Sequence, residues 1–93
     1  MSDTAIHYLL LYDYVEDIRE RRSPFRDEHL ARIKVERDAG RVLMAGALGD
    51  PPLGAAIVFR GVDRNAVEEF ARHDPYMTAG LVPRWHVERW FLV

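Results

Sequence analysis

His29 and Asp74 are of the types that together move protons, and both fall on stripes expected to face inward. A carboxylate that accepts a hydrogen bond from one imidazole nitrogen fixes the ring's tautomer. It also makes the other nitrogen a better base. His29 stands in the row Phe25, His29, Ile33, spaced i, i+4, i+8 as on one face of a helix, with Leu30 flanking it. Asp74 follows Phe70 by four residues and Ala71 by three, so it prolongs the inward stripe of a second helix. Each residue also has a plain structural role open to it. A core histidine is satisfied by a backbone carbonyl, and an aspartate before Pro75 caps the turn that follows. A buried carboxylate without a partner is costly, which is the reason to consider the two together.

No good nucleophile stands beside this pair. Cysteine is absent, Ser2 and Thr4 are near the start of the chain, and Ser23 reads as a helix cap; Thr78 is the other plausible hydroxyl. General acid–base chemistry is therefore expected ahead of a covalent triad. Arg26, three residues before His29 on the same helix side, either holds an anionic substrate or is a solvated surface group. Tyr8, Phe25 and Tyr76 are the expected lining of a small-molecule pocket between helices and sheet. His73 is expected to be exposed. His7, His86 and Glu88 form either a polar patch on the sheet or half of a metal site, and two ligands without a third are a weak metal signal. No metal and no cofactor is expected. The glycines of 46–50 have neither the dinucleotide-binding nor the P-loop spacing.

These residues need elements to position them. Residues 5–14 alternate Ile6, Tyr8, Leu10 and Tyr12 on one face while Leu9 and Leu11 make the other apolar, predicting a central strand covered on both sides. The charged run 15–22 reads as a short helical turn or a loop. Ser23-Pro24 signals a helix start, and Gly40 stands where a C′ glycine belongs after a helix ending at Ala39. Strands are expected over 41–47 and 54–60, broken by Gly49-Asp50-Pro51-Pro52 and paired as an antiparallel hairpin. Asp63 caps a helix over 64–73 whose apolar stripe is Ala66, Val67, Phe70 and Ala71, and Asp74-Pro75 ends it. A turn over 76–81 leads to a last strand over 84–93, with Trp85 and Trp90 on opposite faces.

The order β-α-β-β-α-β predicts a ferredoxin-like sandwich, a four-stranded antiparallel sheet with both helices on one face. Its free face would still carry large apolar groups, so a homodimer through that helix-free face is expected. Ferredoxin-like folds often bind RNA, but the third strand, Ala-Ala-Ile-Val-Phe-Arg, lacks the aromatic pattern that stacks bases.

The chain resembles the YciI-like (YCII-related) family of small bacterial proteins. The residues that carry the resemblance are Arg26-Asp-Glu-His29-Leu30, Gly40, Gly46-Ala47-Leu48, Gly54, Asp74-Pro75-Tyr76, Ala79-Gly80-Leu81 and Trp90. It implies a dimeric α/β barrel of two ferredoxin-like subunits and a His–Asp active site, here His29 and Asp74. Gly46 joins the expected substrate-binding residues. A dehydrochlorinase-type lyase activity is associated with the superfamily. Where the family usually has Gly-Pro, this chain has Gly46-Ala47.

Composition sets the outer bounds. With 93 residues, 48% apolar and 30% charged, the chain is expected to be one domain over 1–93. A chain this size buries roughly 60–65% of the surface its unfolded form exposes, enough for a core. The apolar run from Tyr8 to Tyr12 is far too short to span a membrane, and no secretory signal is visible. A net charge of −2 gives no electrostatic pull toward nucleic acid or anionic lipid. Absence of cysteine fits a cytoplasmic protein. Two functions remain: an enzyme moving a proton in elimination or isomerisation of a small metabolite, or a non-catalytic ligand-binding or accessory module.

Overall fold

In the computed structural model, which describes residues 5–93, the doubly apolar segment forms β1 at His7–Asp13. The other strands are β2 at Val42–Leu48, β3 at Gly54–Arg60 and β4 at Arg84–Trp90. They make one antiparallel sheet in the order β2-β3-β1-β4, so β1 is central as its two apolar faces require. The helices are α1 at Ile18–Arg21, α2 at Ser23–Asp38, α3 at Arg64–Arg72 and α4 at Pro75–Thr78. The two long helices lie on one face of the sheet, giving the ferredoxin-like α+β sandwich. Ser2 and Thr4 fall outside the described residues.

Register explains which residues reach the core. Tyr8, Leu10 and Tyr12 stand opposite Phe59, Ile57 and Ala55, all on the helix-covered face. Leu10, Tyr12, Ile57 and Phe59 are each at most 2% exposed and pack with Ile33, Val67 and Phe70 from the helices. The free face presents Leu9, Leu11, Met44, Leu48, Val58 and Trp90. Met44 is 63% exposed there and Trp90 41%. Among the described residues no helix is long and apolar enough to cross a membrane.

Three local details depart from the sequence reading. Ser23 is the first residue of α2, not its cap: Arg22 occupies the cap position without a side-chain hydrogen bond, and Pro24 stands inside the first turn. The last strand stops at Trp90, because Trp90 pairs with His7, the first residue of β1; Phe91 to Val93 are exposed beyond it. Ala66 points outward, which narrows the α3 stripe to Val67, Phe70 and Ala71. Of the two alternatives left open for the charged run, the structure has the short helical turn, α1, anchored by Ile18 at 1% exposure. Other expectations match: Asp63 Oδ1 accepts from the Ala66 amide, and Gly40 takes φ +80° while Arg41 N–H bonds back to Glu36 O at 2.9 Å.

Gly54 is held by lack of room. A Cβ there would lie 2.2 Å from the carbonyl oxygen of Tyr12 in the adjoining strand. The nearest atoms are all backbone of Tyr12 and Asp13, with no side chain to yield, so Gly54→Ala is expected to lower stability by about 1–3 kcal/mol. For a domain of this size that is a fall in Tm of about 4 °C or more, read by circular dichroism.

Candidate active site

Three elements bring their polar groups to one buried carboxylate. Asp74 ends the α3 stripe and, in extended backbone conformation before Pro75, caps α4; its Oδ1 accepts from the Tyr76 amide at 2.9 Å. From α2, the His29 Nδ1 lies 2.9 Å from both carboxylate oxygens. From β1, Tyr12 Oη donates to Oδ2 at 2.8 Å. Asp74 is fully buried, and His29 is 5% exposed. The capping role and the histidine partnership, alternatives in the sequence, are thus both filled by the same side chain.

An ionised carboxylate only accepts, so Nδ1 carries the hydrogen and Nε2 keeps its lone pair. His29 lines a cleft of about 590 Å³ between α2 and the β2–β3 hairpin, and Nε2 is the ring nitrogen left for it. The cleft exists because Ala45, Gly46, Ala47 and Ala55 put almost no side chain on this part of its floor. Tyr76 stacks on His29 with ring centroids 3.8 Å apart and planes 7° from parallel. Tyr14 meets Tyr76 edge-on at 5.9 Å. The imidazole is clamped between a carboxylate edge and a phenol face.

The expected site residues divide. His29, Arg26, Tyr76 and Gly46 line the cleft, with Asp74 beneath. Tyr8 does not; it lies on the covered sheet face away from the cleft, between the guanidiniums of Arg64 and Arg89 at 5.6 and 5.7 Å. Phe25 packs against the core instead of lining the cleft. His73 is exposed. His86 and Glu88 approach to 3.6 Å on the free face, and no group of three or more potential metal ligands occurs among the described residues. Tyr12, Tyr14 and Arg22 were not singled out from the sequence. A tyrosine on an inward face must place its hydroxyl, and that rule pointed to Tyr12; Arg22 lay in the unassigned charged run.

The YCII-related domain family matches the chain over residues 6–91. An uncharacterised protein of Haemophilus influenzae is 27% identical, the match covering 82% of this chain and 87% of that protein. Among solved structures, 5-chloro-2-hydroxyhydroquinone dehydrochlorinase from Burkholderia phenoliruptrix AC1100, in complex with 2,5-dihydroxybenzoquinone, superposes with a TM-score of 0.76. That likeness spans 91% of this chain and 93% of the dehydrochlorinase at 20% identity, and it shows a shared fold.

Burial raises the Tyr12 hydroxyl far above the usual tyrosine range, and the Asp74 charge and hydrogen bond push it further. Tyr14 is likewise raised, first by burial and then by neighbouring Tyr76 and Asp74. A folded-state value raised above the unfolded one means full stability below about pH 10, lost as pH climbs past it. Melting temperature is accordingly expected to be level from neutrality to about pH 10 and to fall beyond. Tyr12→Phe strips one donor from the buried carboxylate and is expected to cost about 1–3 kcal/mol, measured by urea denaturation.

Proposed function

The chain belongs to the YCII-related domain family, and on that premise we propose that it is a small enzyme whose His29 accepts a proton held in reach by the cleft. The observation that carries this reading is the His29–Asp74 contact at 2.9 Å, buried beneath the cleft with Nε2 left for a ligand. Asp74 orients the ring and stabilises the imidazolium formed when the proton arrives. Tyr12 and the Tyr76 amide keep the carboxylate from turning.

The reaction class is elimination or isomerisation. Nε2 takes a proton from carbon, the released pair becomes a double bond, and in elimination a leaving group departs with its own pair. In isomerisation no group departs: the released pair displaces the adjacent π pair along the ligand, and the same imidazolium returns the proton at the far end of that shift. The structural neighbour is a dehydrochlorinase in complex with a small ring compound, a step of this same class. A cleft of about 590 Å³ suits a ligand of that size.

Assembly is the second part of the proposal: the helix-free sheet face pairs with a second copy. Leu9, Leu11, Met44, Leu48 and Trp90 lie there, an apolar face of the kind that marks association. Light scattering at micromolar concentration is expected to give a dimer burying about 1,200–2,000 Å² or more. A monomer would overturn this part.

His29→Gln keeps hydrogen-bonding capacity and approximate size, so fold and assembly are expected to survive. Turnover of a substrate nominated by thermal-shift screening is expected to drop by about 10²–10⁴-fold. Asp74→Asn turns an amide NH₂ toward groups that themselves donate, and it is expected to lower both turnover and Tm. If His29→Gln retains full turnover, the pair is structural and His29 is not the base; a ligand that binds but is never turned over makes the chain a ligand-binding module.

A further inference from the structure

Asp74 owes its place to the way α3 ends. His73, at φ −97° and ψ 1°, has already left the helical conformation, and the Asp74 amide donates to Ala71 O at 3.2 Å. A helix that ran on would take that amide to the carbonyl of Phe70, four residues back. The Phe70 carbonyl is thus one of the acceptors that a helix end leaves over. A side chain from α2 takes it: Arg32 Nη1 donates to Phe70 O at 3.0 Å. A cation is the favoured partner there, because the last carbonyls carry the negative pole of the helix dipole.

The surroundings tie Arg32 to this task. Its guanidinium lies 4.4 Å from the centroid of the Phe70 ring, and that ring meets Phe59 of the sheet edge-on at 5.2 Å. Arg32 stands in a groove of about 310 Å³ between α2 and α3 whose acids are held by other groups, Glu36 by Arg41 and Glu69 by Arg72. Arg32 follows His29 by three residues on α2, and Asp74 follows Phe70 by four, so two polar links run side by side between the same segments. Burial and then Asp74 raise the Tyr12 hydroxyl, while the Arg32 guanidinium draws it partly back. That charge is therefore within electrostatic reach of the same carboxylate network.

We infer that Arg32 is the positioning residue of the His29–Asp74 pair: reaching from α2, it caps α3 and so fixes where Asp74 turns out of that helix. The helix that carries the imidazole thereby also sets the place of the carboxylate beneath it. Without the cap, Phe70 O is open to the Asp74 amide, α3 gains one more bond, and the carboxylate is drawn away from the ring. The inference deepens the reading of this pair as the working one and rests on it for turnover alone.

The Nδ1–H signal of His29 in the isotope-labelled intact protein, assigned with His29→Gln, reports the bond to Asp74 and needs no substrate. It is expected to be present near neutral pH and slow to exchange with water. Arg32→Met keeps an apolar stem over Phe70 but no donor, so the fold is expected to hold while exchange of that proton quickens about tenfold or more. With a substrate nominated by thermal shift, kcat is expected to fall about tenfold and KM to stay within about twofold. Arg32→Lys restores a cationic donor and is expected to recover both the signal and kcat. Arg32→Gln, too short to reach the carbonyl, serves the same comparison should Arg32→Met not fold. An arginine with a structural role alone would lower Tm and leave the signal and kcat as they were. That result, or equal loss in Arg32→Lys and Arg32→Met, overturns the assignment. Turnover of His29→Gln judges the proton-transfer reading separately, so the failure of one leaves the other standing.

Discussion

The molecule is organised around one fully buried carboxylate. Asp74 receives a phenol from β1, an imidazole from α2 and a backbone amide from α4, so three segments distant in sequence converge on two oxygen atoms. Desolvating an ionised carboxylate is expensive, and only this many donors make its position tolerable. The constraint runs in reverse as well. Each donor group left unpaired in the interior would cost about 1–3 kcal/mol, so the carboxylate fixes how α2 and α4 sit over the sheet. The same contact that secures the fold sets the histidine's tautomer and leaves Nε2 for the cleft.

Space for a ligand comes from small residues rather than from a missing element. Under most of α2 and α3 the sheet presents Leu10, Ile57 and Phe59, and the layers close. Toward the β2–β3 hairpin the floor turns to Ala45, Ala47 and Ala55, while α2 continues above. A helix cannot bend to follow so local a depression, and the gap stays open. Rigid packing on one side and truncated side chains on the other thus place the imidazole at a solvent-reachable wall without exposing its carboxylate.

How much of this could be read from the chain depends on the range of each interaction. His29 and Asp74 were legible because helical spacing assigns a face, and polar residues on inward faces demand partners. The sandwich was legible from element order and the chirality of its crossovers. Tyr8 shows where the reasoning runs out. Period two correctly puts it on the covered face with Leu10 and Tyr12, but gives no position along the strand relative to a cleft. It pairs with Phe59 and Arg89, away from the site, whereas Tyr12 four residues on touches Asp74. Phe25 shares the His29 row yet turns into the core. The Tyr12–Asp74 bond spans 62 positions and leaves no local trace. Arg22 was hidden for another reason: in a run of alternating charges, the one buried residue, Ile18, alone decides which way the turn faces.

Charge order within the cleft bears on the proposed proton transfer. The Asp74 carboxylate lies behind the imidazole, so it favours positive charge on the ring at the moment a proton is gained. Arg22 and Arg26 line the cleft near the start of α2, where they favour negative charge on the ligand. In the proposed proton abstraction both charges arise at once, a cation on His29 and an anion on the ligand. The two ends of the cleft carry charge of the signs that this proposed separation requires. Tyr12, held protonated by burial, directs its hydroxyl dipole at Asp74, and the likewise protonated Tyr14 lines the cleft, so neither competes for the proton. A water-filled groove would need to reorganise its solvent to do the same; here the dipoles are fixed by packing before any ligand enters.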